Sequence, residues 1–149
     1  MGLSVRDISL SLLRWFFGAV FLFSGLTKAV DPVGTSVFVE KYLATYCLDA
    51  LMEFALPFAV ALATVELTLG IAVIVNAFHR LTLRFLLLFV ALFTLITLLS
   101  ATVLPIGDCG CFGDAVKLSP WATFWKNIGL LVVVVVLLRC DHREYVTSL

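Results

Sequence analysis

Cys109 and Cys111 stand one glycine apart in the string Gly107-Asp108-Cys109-Gly110-Cys111-Phe112-Gly113-Asp114. Gly107, Gly110 and Gly113 tolerate positive φ and let the backbone turn tightly, which brings an i, i+2 cysteine pair toward disulfide distance. Three chemistries compete for such a pair. In a redox-active dithiol, a thiolate attacks a substrate disulfide and its neighbour resolves the mixed disulfide; so small a ring is strained, and strained exposed disulfides are the labile, oxidising kind. A structural bridge would only pin the loop, and closing so short a loop removes little chain entropy. A metal site needs further ligands nearby.

The chain that must position this pair is dominated by hydrocarbon. It has 149 residues, 62% hydrophobic and 13% charged, where soluble domains average roughly 45–50% and 25%. Mean hydropathy is +1.15. The expected protein is all-α and polytopic, a single membrane domain over 1–149 with four spans at about 8–29, 54–76, 81–103 and 121–138. Helices are required because a span in lipid must satisfy its own backbone amides. The first apolar run is too long for a signal-peptide core and lacks a small-x-small site, so it is expected to persist as a span. A net charge of zero argues against nucleic acid as a partner.

Basic residues orient the bundle. Arg6, Arg14, Arg80, Arg84, Arg139 and Arg143 fall near the N-terminus, the second connection or the C-terminus, and Lys28, Lys41, Lys117 and Lys126 fall on the other side. The arginine side also has fewer acidic residues. Positive-inside logic puts both termini in the cytoplasm and the cysteine loop outside, in a periplasm or its equivalent. Disulfides persist there. Both histidines, His79 and His142, then lie on the cytoplasmic face, and Asp108 alone does not complete a zinc set, so no metal is expected.

Residues 30–53 form an exoplasmic connection. Asp31-Pro32 has the pattern of a helix start, and Val37, Ala44, Leu48, Leu51 and Met52 mixed with Glu40, Lys41 and Asp49 suggest an amphipathic interfacial helix roofing the bundle. Cys47 sits in it, expected to be a buried apolar filler, with a thiol shuttle as the alternative. Ser119-Pro120 predicts the start of the fourth span, with Trp121 and Trp125 at headgroup level. Cys140 is expected to be an idle reduced thiol in the cytoplasm.

Polar residues inside the spans are costly and need partners. At 100° per residue Arg14, Gly18, Phe21, Gly25 and Lys28 share one face of the first span. Ala55, Ala59, Ala63, Glu66, Gly70 and Ala77 form a stripe on the second, and small residues let helix backbones approach closely. Counted from the helix ends, Arg14 and Glu66 lie at similar depth, which suggests an Arg14–Glu66 pair. In the alternative, Arg14 snorkels beside Trp15 and a neutral Glu66 bonds to Thr94 or Thr97.

The string DCGCFGDAVKLSPWATFWKNIGLL resembles the C-terminal signature of the MauE branch of the DoxX-like membrane proteins, in which a CGCFG loop precedes an Arg/Lys-Asn pair, here Lys126-Asn127. Lysine replaces the commoner arginine. Residues 14–18 with 23–28 are similar to the family's first helix, and 65–70 to its second. The resemblance implies a four-helix membrane bundle and a link to maturation of disulfide-rich methylamine dehydrogenase beside a thioredoxin-like protein. Other relatives imply quinone-coupled sulfur chemistry, so a quinone among the bundle's aromatic rings is the one cofactor the analogy suggests.

Two functions follow as expectations. In the first, the protein is an inner-membrane thiol–disulfide oxidoreductase or relay in which Cys109 and Cys111 exchange electrons with a periplasmic thioredoxin-like partner. The start of the fourth helix would favour thiolate and Asp108 would oppose it. In the second, it is a non-enzymatic membrane subunit or assembly factor whose disulfide holds a docking loop presenting Phe112, Lys117 and Trp121. A solute carrier built on Glu66 is disfavoured by the small number of spans.

Overall fold

The computed structural model describes residues 5–77, 79–102 and 119–147. Five α-helices and one 3-10 helix account for nearly all of them: α1 (Val5–Val30), α2 (Pro32–Thr45), the 3-10 helix Asp49–Phe54, α3 (Ala55–Ile74), α4 (His79–Thr102) and α5 (Pro120–Thr147). Four segments are long and apolar enough to cross a membrane: Ile8–Val30, Asp49–Ile74, Arg80–Thr102 and Pro120–Cys140. The protein is an all-α integral membrane protein. Its outer surface carries exposed Leu, Val, Ile, Phe and Trp side chains, which suits hydrocarbon as solvent.

The helix starts follow their local sequences. Asp31 caps α2 by accepting from the Gly34 amide at 2.8 Å, with Pro32 in the first turn, where a missing N–H costs nothing. Ser119 caps α5: its hydroxyl accepts from the Ala122 amide at 3.3 Å, and Pro120 follows. Both α2 and α3 end in Schellman turns. After α2, Leu48 N–H donates to the Leu43 carbonyl (2.8 Å) and Cys47 N–H to the Ala44 carbonyl (3.1 Å). After α3, Ala77 N–H donates to the Ala72 carbonyl (2.9 Å) and Asn76 N–H to the Val73 carbonyl (3.3 Å).

Cys47 therefore occupies the left-handed position, φ 56°, that glycine usually fills. It is exposed and carries no disulfide among the described residues, so the buried-filler expectation fails: the thiol lies past the helix end, not on its packed face. Cys47→Gly is expected to stabilise the fold by about 1 kcal/mol, because a Cβ in this conformation is unfavourable. Unfolding in mixed micelles measures it, with Cys47→Ala near wild type. A glycine variant no more stable than wild type would contradict the strain.

The helices pack as two close pairs, α1 with α3 and α4 with α5, and α2 lies against α3. The first pair is antiparallel and depends on glycines. A Cβ built on Gly70 would sit 3.0 Å from the Leu22 amide nitrogen and 3.1 Å from the Gly18 carbonyl oxygen. One on Gly25 would sit 2.8 Å from Leu67 Cγ. The buried stripe of α3 is Ala55, Ala59, Ala63, Glu66, Gly70 and Val73, as its spacing of small residues predicts, with Ala77 half-buried beyond the helix. Between the two pairs lies the apolar core of Phe17, Phe21, Val73, Leu83, Leu86, Val90, Leu130, Val134 and Leu137. An aromatic row crosses it, with ring centroids 5.0 Å apart for Phe17–Phe21, 6.0 Å for Phe21–Phe89 and 4.8 Å for Phe89–Phe93.

The α1–α3 contacts set Val30 opposite about residue 62, so α3 starts roughly two turns beyond the end of α1, about 10 Å at 1.5 Å per residue. Helix α2 packs against α3 beyond the end of α1. Its buried residues are Thr35, Ser36 and Phe38, whereas Val37, Ala44, Leu48 and Leu51 are exposed.

Candidate functional site

Glu66 and Lys28 form an ion pair at 2.8 Å inside the bundle, with only 5% and 2% of their surfaces exposed. Lys28 Nζ also donates to the Ser24 hydroxyl at 2.7 Å and more weakly to the Ser24 carbonyl at 3.4 Å. Ser24 and Lys28 stand one helical turn apart, so the serine holds the lysine side chain back along α1 toward Glu66. Removing either partner would leave the other buried without an opposite charge.

This arrangement replaces both expectations for Glu66. Arg14 is not its partner. Depth counted from helix ends misled because those ends are not level: the projection of α3 brings Glu66 beside Lys28, while Arg14 lies far down α1 near Ala72, Asn76 and Thr82. Nor does Glu66 bond to the threonines of α4. Thr94 Oγ1 donates to the Val90 carbonyl at 2.7 Å, and Thr97 Oγ1 to the Phe93 and Thr94 carbonyls at 2.9 and 3.0 Å, which is ordinary helix back-bonding.

Asn127, 4% exposed, joins the same layer from α5 by donating Nδ2–H to Thr97 Oγ1 at 3.4 Å. The neighbouring Lys126 is half-buried beside it. The polar residues flank two cavities. The smaller, about 40 Å³, touches Ser24, Glu66, Phe93, Lys126 and Asn127. The larger, about 320 Å³, lies between α2, α3 and α4 and touches Lys28, Phe38, Tyr42, Tyr46, Phe93 and Thr97. Phe93 borders both, so the ion pair and the Thr97–Asn127 bond stand between two internal spaces.

Thr35, Phe38, Tyr42 and Tyr46 were not recognised from sequence as a group, although they recur every three or four residues on one face of α2. That aromatic spacing was the available signal. Asp108, Cys109 and Cys111, with Phe112 and Lys117, lie outside the described residues. The segment holding them joins Thr102 to Ser119, and Thr97 is five residues from the first of these, about 8 Å along its helix. No cluster of His, Cys, Asp and Glu able to hold a metal occurs among the described residues.

Four apolar spans with a charged pair and an amide sealed between them define a polytopic helical membrane protein with a buried polar layer. The layer lies toward the end of α4 and the start of α5, the two helices that the cysteine segment joins in sequence. The chain belongs to the MauE family: the family model described as methylamine utilisation protein MauE matches residues 6–139. Comparison with curated proteins and with solved structures gives no match.

Proposed function

We propose that this protein is a membrane thiol–disulfide redox protein acting through Cys109 and Cys111. The observation that carries the reading is the Cys-Gly-Cys pair in the segment that joins α4 to the capped start of α5. In the reaction, a thiolate of a thioredoxin-like partner attacks the Cys109–Cys111 disulfide and forms a mixed disulfide, expelling one cysteine as thiolate. The partner's second thiolate then attacks the mixed bond and frees the other cysteine. Two electrons pass from the partner dithiol to the pair, which oxidises the partner, and two protons follow to the released thiolates; the reverse steps reduce the partner. Relative reduction potentials set the direction.

The basic-residue asymmetry supports an inner-membrane location with both termini cytoplasmic and the pair on the periplasmic side. The family description supports methylamine utilisation as the process served, which suits maturation of a disulfide-containing client. That description also favours a second reading, an assembly factor whose Cys109–Cys111 bridge is only structural.

Thiol trapping in intact cells separates the two. Alkylation with a mass tag is expected to show the pair in mixed oxidation states that shift with added reductant. Cys109→Ser and Cys111→Ser are each expected to abolish client oxidation or reduction, and one of them to accumulate a mixed disulfide. A pair that stays oxidised under every condition, with serine variants fully functional, would leave the structural role.

A further inference from the structure

We infer that the 320 Å³ cavity between α2, α3 and α4 is a binding site for a neutral, lipid-soluble molecule that carries a flat ring with carbonyl acceptors. The volume falls at the lower end of small-molecule pockets, enough for one ring system and the start of a tail. Phe38, Tyr42 and Phe93 supply aromatic walls, and Leu62 an aliphatic one, against which a flat ring packs better than a flexible chain.

Two polar features select the ligand. Tyr46 lines the cavity, and its hydroxyl is buried with no hydrogen-bond partner among the described residues. A buried phenol donates most readily to a carbonyl oxygen, and an apolar ligand would leave it unmet. Lys28 also borders the cavity, but Glu66 at 2.8 Å already balances its charge. The site therefore offers no net charge to a carboxylate or phosphate, and a neutral acceptor fits it. Quinone rings and glyceride esters both carry such acceptors; the aromatic walls favour the ring. The inference concerns binding alone, and it stands whether or not Cys109 and Cys111 exchange electrons.

Equilibrium dialysis of a radiolabelled decyl-benzoquinone against the full chain in nanodiscs, with empty nanodiscs as the partition control, tests it. Saturable binding near one per chain is expected, displaced by unlabelled quinone and not by decylbenzene. Tyr46→Phe keeps the ring and removes one oxygen; it is expected to weaken binding about fivefold while leaving thermal stability unchanged or raised. Leu62→Trp is expected to fill the cavity and abolish binding. Equal displacement by decylbenzene, wild-type affinity in Tyr46→Phe, or no saturable component would overturn the site. Stronger displacement by monoolein than by the quinone would overturn the ring assignment. If Leu62→Trp does not fold, Tyr46→Phe decides.

Discussion

Glu66→Gln is expected to cost about 3–5 kcal/mol of stability, because it leaves the Lys28 ammonium buried without an opposite charge. Lys28→Met is expected to cost a similar amount by stranding the carboxylate. Two properties of the site place the effect at the large end. Both side chains are almost wholly enclosed, and Lys28 Nζ also donates to the hydroxyl and carbonyl of Ser24, neutral groups that cannot replace the carboxylate's charge. Replacing both residues together, as Lys28→Met with Glu66→Leu, removes the desolvation penalty along with the attraction, and such exchanges are often near neutral. The cycle should therefore be strongly non-additive, with the double variant more stable than either single one. Unfolding in mixed micelles supplies the numbers. Losses that simply add would show that the two charges do not depend on each other.

Gly70→Leu is the second large effect expected, a loss of about 2–3 kcal/mol from overpacking. The first atom of any side chain at this position meets backbone atoms, the Leu22 nitrogen and the Gly18 oxygen, so no rotamer change relieves it. Helices α1 and α3 must separate, and with them Lys28 and Glu66. Gly129 on α5 provides the contrast, since a Cβ there meets nothing within 4 Å. Gly129→Leu is expected to be neutral or to gain about 0.5–1 kcal/mol from helix propensity. Equal behaviour of the two variants would mean that the glycine contact does not hold the pair together.

Much of this architecture was written in local patterns. Spans came from hydrocarbon runs, because lipid admits only self-satisfied helices. Asp31-Pro32 and Ser119-Pro120 marked helix starts through capping chemistry that involves only adjacent residues. The inward stripe of α3 came from small residues at helical spacing. What failed was the relative height of the helices. Residues 14 and 66 look level when each is counted along its own helix; contact between Gly25 and Leu67 fixes a different register, and nothing local to either helix encodes it. The buried face of α2 was not legible for a related reason: in a membrane, apolar Val37 can point at lipid while Thr35 and Ser36 point inward. Hydrophobicity alone does not separate inside from outside there.

The same ion pair bears on how the protein is made. Lys28 closes the first span, and Glu66 is synthesised 38 residues later, after α2 and the 3-10 helix. Lys28 sits in the last turn of α1, so while α1 stands alone its long side chain can keep the ammonium at the headgroups. The carboxylate that pairs with it arrives only with α3. The first span therefore gains its opposite charge only from the second, which ties the α1–α3 hairpin together as one unit.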